Sequence, residues 1–454
     1  MTVGMPITPL DAWIVKKTET SGDFVTREEL SRYQLARLNE TIACARSFSP
    51  FYQRHWAGGV PHSLSRLEEL ASYPLMTPAD VGEYGLQMVC VSQGEINRVV
   101  TLATSGTTGN PKRLYFTATD QELTIDFFRC GMSTLVGPGD RVLILLPGER
   151  PGSVGDLLGK GLLRSGVLPA HYGLVRNIPD AVTKMCKEQA TCLVGVPVQI
   201  LAMARYWEQW GKSTWAPSCA LVSTDYIPVA IVRELKRIWN CEVFEHYGMT
   251  EMGLGGGLEC AAHNGYHMRE ADLYIEIIDP VSAQPLPEGE YGEVVFTTLT
   301  RRGMPLIRYR TGDISRVIPG QCLCGSRLRR LERVQSRITG RVCLGDGKWL
   351  TIAELDEVLF PVTGIINFSA AISYIDSLIR LQVIAYVLGP VPEKSVILSA
   401  LRQISSIRAA ETTGQVILAA AVVSYEDGFV IDPGKRIINI SGRRESTVGS
   451  GDTI

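Results

Sequence analysis

The sequence predicts an α/β fold: a large N-terminal α/β domain with a parallel sheet and an antiparallel β layer, then a small α+β C-terminal domain. Three observations lead to this prediction. From Arg141 onward, short apolar runs alternate with longer segments of helical period, which is typical of parallel strands joined by crossover helices. After Asp272, alternating strands separated by turn residues favour an antiparallel layer. Beyond about Gly340, a shorter set of strand-like and helical segments follows.

The first predicted element is a helical segment from Thr26 to Trp56. Thr26 and Glu29 have the spacing of a capping box, and Leu35, Leu38 and Ile42 fall on one face. We interpret this segment as scaffold.

The strands of the predicted sheets can be read as apolar or alternating runs. Those of the parallel sheet are RVLILL at Arg141, CLVGV at Cys192, CALVS at Cys219 and CEVF at Cys241. The antiparallel layer is predicted from DLYIEII and GEVVFTT, which the turn-rich stretch PVSAQPLPEGEYG separates. The C-terminal domain is predicted from LIRLQVIAYVL, EKSVILSALRQI and VILAAAVVSY. We therefore expect domains at residues 1–340 and 341–454.

Composition narrows the class of partner. The 454 residues include 45 Lys and Arg against 47 Asp and Glu, a formal charge of -2, so no global field favours nucleic acid or an anionic membrane. The N-terminus lacks the pattern of a signal peptide, and no apolar run is long enough to span a bilayer. Eleven scattered cysteines are typical of reduced thiols. We expect a cytoplasmic protein with small-molecule partners and leave open whether it forms a homodimer.

The stretch TLATSGTTGNPKRLYF contains a loop rich in hydroxyl residues and glycine. Gly106 and Gly109 can adopt backbone angles closed to other residues, so that main-chain N–H groups converge on one point. Such a loop could bind a polyphosphate, or it could be a solvated hairpin tip. It is not a Walker-type loop, because Pro111 precedes Lys112 and Arg113 follows it.

Three further stretches carry polar residues suited to a nucleotide. FEHYGMTEMGLGGGLEC places Tyr247, Thr250 and Glu251 before a run of glycines, where they could serve a purine, a phosphate and a magnesium ion. MPLIRYRTGDISR sets Asp313 after a turn glycine, where its carboxylate could accept two hydrogen bonds from a ribose diol. VQSRITGR ends in Arg341 at the apparent domain boundary. Taken singly, each residue could equally be structural.

Taken in order, TSGTTGNPK, YGMTE and YRTGD resemble the motifs of the adenylate-forming superfamily of acyl-CoA synthetases, peptide-synthetase adenylation domains and luciferases. The likeness runs from about Phe51 to Arg443. SPFYQRHW, PLIRYRTGD and CLCGSRLRRLERV resemble in particular the phenylacetate-CoA ligase group and related synthetases that adenylate a deazaflavin coenzyme. The resemblance implies that ATP activates an aryl or small carboxylic acid with release of pyrophosphate, and that the acyl group passes to CoA. It also implies that the C-terminal domain is mobile and swings over the site.

The resemblance assigns roles in the first chemical step. In that step a carboxylate attacks the α-phosphorus of ATP, so the enzyme must hold two anions side by side and neutralise charge on the leaving group. By resemblance, Thr250 contacts the α-phosphate and Glu251 ligates magnesium. Lys435, in DPGKRIINISGRR, takes the place of the catalytic lysine. The alternative for Lys435 is a solvated surface lysine.

The resemblance also assigns the nucleotide contacts. Tyr247 and Gly248 would lie beside the adenine and Asp313 would bind the ribose, while Arg341 would reach the ribose or the α-phosphate. The loop that holds the β- and γ-phosphates would consist of Thr104, Ser105, Gly106, Thr107, Thr108, Gly109 and Lys112.

The sequence departs from the family pattern at the domain boundary. The family has acidic residues and then Arg-Gly after the boundary Gly-Arg, whereas VCLGDGKWL follows Gly340 and Arg341 here. Rotation at a hinge does not demand one residue type, yet transfer to CoA is less firmly implied than adenylation. Two alternatives stay open: an adenylyltransferase that passes AMP or acyl to another acceptor, and an inactive nucleotide-binding homologue.

The clustered cysteines predict a separate metal site. Cys322 and Cys324 bracket one residue in a turn, and Cys260 and His267 lie earlier in CAAHNGYHMREAD. Together they would supply the closed tetrahedral set that structural Zn²⁺ prefers. His263 is the rival fourth ligand, and the alternative is ordinary buried thiols with a surface histidine.

The acyl pocket is only loosely indicated. The glycines within residues 253–257 are expected to leave room beside the acyl group, and Phe127 and Phe128 to form an apolar wall. This description fits an aryl or small acid without naming it.

Overall fold

The computed structural model describes residues 6–20, 22, 24–102, 111–211, 213–334, 336–375, 378–425 and 436–441. Within these residues the α-helices are α1 (Leu10–Thr18), α2 (Arg27–Phe48), α3 (Pro50–His55), α4 (Pro78–Tyr84), α5 (Ala118–Met132), α6 (Val154–Leu163), α7 (Ile178–Glu188), α8 (Pro197–Trp210), α9 (Val229–Trp239), α10 (Ile352–Leu359), α11 (Lys394–Leu401) and α12 (Ser405–Thr412).

The strands over the same residues are β1 (Ile96–Leu102), β2 (Lys112–Thr117), β3 (Arg141–Ile144), β4 (Leu168–His171), β5 (Cys192–Gly195), β6 (Cys219–Val222), β7 (Glu242–Tyr247), β8 (Gly257–Leu258), β9 (Tyr266–Met268), β10 (Leu273–Ile278), β11 (Gly292–Thr298), β12 (Tyr309–Ser315), β13 (Val317–Ile318), β14 (Arg330–Leu331), β15 (Ser336–Arg337), β16 (Arg341–Gly345), β17 (Lys348–Thr351), β18 (Ile365–Ile375), β19 (Leu378–Val387), β20 (Val416–Ser424) and β21 (Ile438–Ser441).

A large mixed sheet forms the centre of the N-terminal part, in the order β13-β14-β9-β8-β7-β6-β5-β3-β4. The strands β4, β3, β5, β6 and β7 run parallel, with α6 to α9 as the crossovers between them, so the predicted parallel sheet is confirmed. Every residue of β5 and β6 is buried, because helices cover both faces of such a sheet. Polar residues that follow β6 and β7 therefore emerge at the carboxyl edge, where open α/β sheets bind ligands.

The predicted antiparallel layer is also confirmed. A second sheet has the order β10-β11-β12-β15, and β10 pairs with β11 in antiparallel register. Asp313 lies on β12 directly opposite Arg337 on the short strand β15. This pairing brings the two ends of the segment from residue 313 to residue 337 together beside the central sheet.

The predicted N-terminal helix is divided in two. Thr26 and Glu29 form the capping box of α2, as the spacing predicts. The helix then ends at Phe48, because Pro50 cannot donate a backbone hydrogen bond and restricts Ser49 to an extended conformation. Residues of both α2 and α3 pack in one core with strands of the antiparallel layer, and their interpretation as scaffold stays a prediction.

The strands β1 and β2 form an antiparallel hairpin in which Leu102 pairs with Lys112. Residues 103–110 join these strands and lie outside the described residues. The hairpin therefore fixes the position of Lys112, which follows the hydroxyl-rich stretch in the sequence.

The C-terminal part contains the hairpin β16–β17 and a sheet in the order β20-β19-β18-β21, which α11 and α12 cover. The predicted boundary between residues 340 and 341 falls between β15 and β16, and the division into two domains stays a prediction. Arg205 on α8 donates to the Phe360 carbonyl at 3.1 Å, and one hydrophobic core runs through both parts.

No helix in the described part of the chain has both the length and the apolar character needed to cross a bilayer.

Candidate active site

A buried carboxylate, Glu251, forms the centre of the candidate site. It lies in a 3-10 turn directly after β7 and is 5% exposed. Its Oε1 contacts Lys112 Nζ from the hairpin and accepts a hydrogen bond of 3.1 Å from Tyr309 on β12. Arg301 donates to the Glu251 carbonyl at 2.8 Å. Three stretches that are distant in sequence thus meet at one carboxylate.

Tyr247 and Asp313 form the second half of the site. The Tyr247 hydroxyl donates to Asp313 Oδ2 at 2.9 Å, and Arg337 Nε lies 2.5 Å from Oδ1 of the same carboxylate. The Tyr247 ring is stacked on Tyr266, with ring centroids 5.8 Å apart. Burial, followed by the charge of Asp313, raises the pKa of Tyr247, so the phenol stays a hydrogen-bond donor. The purine and ribose residues named from the sequence are therefore in direct contact with each other.

The backbone between these two halves requires glycine at residue 248. A Cβ there would lie 2.4 Å from the Leu254 carbonyl oxygen and 2.8 Å from His246 Cε1. Glycine at this position lets the chain turn between Tyr247 and Glu251. Thr250, which lies between these two residues in the sequence, is partly exposed.

Arg341 lies at the start of β16, and its guanidinium carbon is 4.5 Å from the centroid of the Trp349 ring. Arg337, one turn earlier in the chain, is the basic residue that contacts Asp313. The predicted contact of Arg341 with the nucleotide stays a prediction.

Four neighbours of the predicted site residues were not predicted: Tyr266, Arg301, Tyr309 and Arg337. Tyr309 and Arg337 stand within YRTGD and SRITGR, so the motifs contained a signal for both. Tyr266 and Arg301 have no such local signal, because only the tertiary packing brings them to the site.

Seven predicted residues lie outside the described residues. They are Thr104, Ser105, Gly106, Thr107, Thr108, Gly109 and Lys435.

The glycines after Glu251 do not leave open space, in contrast to the expectation from the sequence. A Cβ on Gly255 would lie 2.3 Å from Phe127, and one on Gly257 would lie 2.8 Å from the Met268 sulfur. These glycines instead allow side chains of neighbouring elements to pack directly on the backbone.

An aromatic wall nevertheless stands beside this segment. The rings of Phe127 and Phe128 lie 6.3 and 6.4 Å from the ring of His246, measured between centroids. Ser223 Oγ lies 2.8 Å from His246 Nδ1, and the buried Nε2 has no hydrogen-bond partner among the described residues. Burial lowers the pKa of His246 to about 4, so the imidazole is neutral at neutral pH.

The predicted metal ligands form one buried cluster. The ligand atoms of Cys260, His267, Cys322 and Cys324 all lie within 4.8 Å of one another. Cys260 Sγ is 3.7 Å from Cys322 Sγ, and Cys324 Sγ is 3.5 Å from His267 Nε2. Burial lowers the pKa of His267 to about 4, which keeps the imidazole in the neutral form that binds metals.

His263 lies outside this cluster. Its Nδ1 is 3.3 Å from Glu259 and its Nε2 is 3.2 Å from Glu242. Of the two candidate histidines, the fold thus brings His267 to the cysteines.

The cluster joins four short strands at one end of the mixed sheet. Cys260 follows β8 and His267 lies on β9, while both remaining cysteines lie in the turn between β13 and β14. Any ion held by these four side chains would connect strands that share few backbone hydrogen bonds.

Comparison with known proteins places the chain in a family context. The model of the AMP-binding enzyme family matches residues 92–299. A phenylacetate-coenzyme A ligase of Aromatoleum evansii is 31% identical over 350 residues, which are 72% of this chain and 74% of the relative. A phenylacetate-coenzyme A ligase of Pseudomonas putida is 30% identical over 332 residues, which are 69% and 71% of the two chains.

Solved structures share the fold over nearly the whole chain. A 2-hydroxyisobutyryl-CoA ligase in the postadenylation state superposes with a TM-score of 0.76 at 20% identity, over 93% of this chain and 91% of the other. The same ligase in the thioesterification state gives a TM-score of 0.65 at 21% identity, over 92% of this chain and 91% of the other.

Proposed function

This chain belongs to the AMP-binding, adenylate-forming enzyme family, close to the phenylacetate-CoA ligases, and from this premise we propose how its residues carry out acid activation. The enzyme activates a carboxylic acid with ATP, releases pyrophosphate and transfers the acyl group to CoA. The observation that carries the assignment of residues is the meeting of Lys112, Glu251 and Tyr309 beside the pair of Tyr247 and Asp313.

Asp313 and Tyr247 are proposed to bind the nucleoside. The carboxylate already accepts a hydrogen bond from Tyr247 and forms an ion pair with Arg337, so its position is fixed before the nucleotide arrives. Such preorganisation lowers the entropic cost of binding. A ribose diol would add two donors to the same acceptor.

Lys112 and Glu251 are proposed to act at the phosphates. Lys112 stands at the base of the loop assigned to the β- and γ-phosphates, and its ammonium would offset charge on the leaving pyrophosphate. The buried carboxylate of Glu251 is the kind of ligand that Mg²⁺ prefers, and the ion would neutralise phosphate charge when bound. Thr250 would donate its hydroxyl to the α-phosphate.

The acid is proposed to be an aryl or small carboxylic acid that lies against Phe127 and Phe128. The two aromatic rings favour an apolar acyl group, and the neutral His246 offers a polar contact at the edge of the wall.

A panel of acids tests the function. Pyrophosphate release should be measured with phenylacetate, benzoate, 2-hydroxyisobutyrate and short-chain acids, with and without CoA. A CoA ligase forms AMP, pyrophosphate and acyl-CoA together. Pyrophosphate release without any thioester would favour the adenylyltransferase, and no release with any acid would favour the inactive homologue.

Glu251→Gln keeps the shape of the side chain and removes the charge that a hard cation requires. We expect the magnesium concentration for half-maximal pyrophosphate release to rise by about 10- to 100-fold. Exposed Glu290 provides the control, since Glu290→Gln should leave this titration unchanged. A magnesium titration of Glu251→Gln that matches the parent would assign Glu251 a purely structural role.

We further propose that Cys260, His267, Cys322 and Cys324 hold a structural zinc ion. Three thiols and a neutral imidazole match the donor set of closed zinc sites. His267 Nε2 lies 3.5 Å from Cys324 Sγ, so this nitrogen would bind the ion and Nδ1 would carry the proton. With four protein ligands, the ion would stabilise the sheet and take no part in acid activation.

A further inference from the structure

Arg436, the residue that follows the proposed catalytic lysine, is buried between two parts of the chain. Its guanidinium makes a bidentate contact with Asp356 on α10, with both N···O distances at 2.6 Å. Its Nε is 3.2 Å from Asp225 Oδ2, in the loop between β6 and α9. The side chain of Arg436 is 7% exposed, and that of Asp225 is 11% exposed. One cation thus joins the C-terminal part to the carboxyl edge of the parallel sheet.

The same loop makes a second contact with α10. The Tyr226 hydroxyl donates to Glu357 Oε1 at 2.7 Å, and the Val229 backbone N–H donates to the same oxygen at 3.1 Å. Thr224 has a φ of 78°, a left-handed conformation that is rare for a β-branched residue and sharply turns the loop. The backbone turn at Thr224 and the contacts with Glu357 therefore fix the conformation of this loop where it packs against α10.

This loop is continuous with the proposed active site. Ser223 Oγ lies 2.8 Å from the Nδ1 of His246, and His246 directly precedes Tyr247. On the other side, Arg436 directly follows Lys435 in the sequence. The contacts of Arg436 with this loop therefore bear on the role proposed for Lys435.

Asp225 and Asp356 have different roles in the contacts of Arg436. Asp356 is fully buried and belongs to the same part of the chain as Arg436, so this pair persists wherever the C-terminal part moves. Asp225 belongs to the N-terminal part, so of the two carboxylates that contact Arg436 only Asp225 joins the two parts. The overall arrangement superposes better on the postadenylation form of the related ligase than on its thioesterification form.

We propose that Asp225 and Arg436 form a latch that holds the C-terminal part in the pose for adenylation and opens for thioester formation. Asp225 is then a positioning residue for the first half-reaction. This inference rests on the proposed function for its kinetic consequence, and on the contacts alone for its conformational one.

The test compares both half-reactions in Asp225→Asn. In the first assay, ATP–pyrophosphate exchange with the best acid of the panel should fall by about 10- to 100-fold, because a displaced catalytic group loses its alignment. In the second, thioester formation from the synthetic acyl-adenylate and CoA should stay at or above the parent rate. Asp225→Glu, which keeps the charge, should restore part of the exchange.

Asp180→Asn is the matched control. Asp180 is an exposed carboxylate in the first turn of α7, outside the domain boundary and outside the contacts between the two parts. Both half-reactions should stay at the parent rates in this variant. Equal rates of ATP–pyrophosphate exchange in Asp225→Asn and in an active parent would overturn the latch.

Hydrogen exchange tests the latch without any substrate. In Asp225→Asn, amides of α10 and of residues 223–229 should exchange faster than in the parent, while those of β10 and β11 stay unchanged. Unchanged hydrogen-exchange protection at α10 in Asp225→Asn would overturn the latch, even if no acid of the panel proves to be a substrate. A different outcome would overturn the proposed function and leave the Asp225–Arg436 contact supported: the parent shows no ATP–pyrophosphate exchange with any acid, while Asp225→Asn loses hydrogen-exchange protection at α10.

Discussion

Lys435→Ala is expected to lower acid-dependent ATP–pyrophosphate exchange by about 10²- to 10³-fold, the scale seen when a preorganised donor to transition-state charge is removed. ATP binding should survive, because the lysine would stabilise charge that develops only as the acid attacks the α-phosphorus. Exchange rates and the Kd for ATP, measured on the same protein, separate these two effects. Lys435 itself lies outside the described residues, and its neighbour Arg436 contacts Asp356 and Asp225.

The control for this prediction is Lys394→Ala. Lys394 begins α11 on the exposed surface of the C-terminal part, and it should tolerate the change. Exchange at the parent rate in Lys435→Ala would remove this residue from the mechanism and direct attention to another cation of the C-terminal part.

The parallel sheet was the most predictable part of the fold. Its inner strands β5 and β6 are buried on both faces, so they stand in the sequence as continuous apolar runs between helices, whereas the edge strand β4 is not buried and was not predicted. The antiparallel layer was equally accessible, since β10 and β11 have six and seven residues and are separated by evident turn residues. Local pattern is sufficient where an element is long and its burial is regular.

Short elements could not be predicted in this way. The strand β15 has two residues and carries Arg337 to Asp313, yet two residues have no period. The same holds for β13 and β14, which bring Cys322 and Cys324 to the metal cluster. The positions of these strands depend on tertiary pairing. The sequence therefore allowed the side-chain chemistry to be predicted, but not the geometry of the strands.

The glycine-rich segment shows a different limit. Glycine indicates either open space or close approach, and the sequence does not distinguish them. Here Phe127 packs within 2.3 Å of where a Gly255 Cβ would lie, so the second meaning applies. The proposed acyl pocket would instead be bounded by side chains such as Phe127 and His246, whose identities favour an apolar acid with one polar contact.

Removal of the zinc ligands is expected to have the largest effect on stability. Protein purified without added metal should carry about one zinc per chain by elemental analysis, since a closed thiolate site binds zinc firmly at neutral pH. Cys322→Ser combined with Cys324→Ser should lose this zinc. It should also lower the Tm by on the order of 5 °C, because metal binding contributes several kcal/mol to the folded state.

Two matched controls make this prediction specific. Cys343→Ser changes a half-buried thiol of β16 outside the cluster and should alter neither zinc content nor Tm. His263→Ala removes a histidine that contacts Glu242 and Glu259 instead of the cysteines, so it should also retain zinc.

His267→Ala decides whether the four side chains act as one metal site. Its Nε2 lies 3.5 Å from Cys324 Sγ inside the cluster, so the variant should release zinc to a mild chelator that leaves the parent and His263→Ala loaded. The remaining three thiolates would keep an open coordination position, which weakens retention of the ion. A parent protein that is free of metal, folded and unchanged in Tm by the double cysteine variant would reduce the cluster to ordinary buried thiols. Zinc retained in His267→Ala but lost in His263→Ala would instead mean that the loop after Cys260 rearranges around the ion.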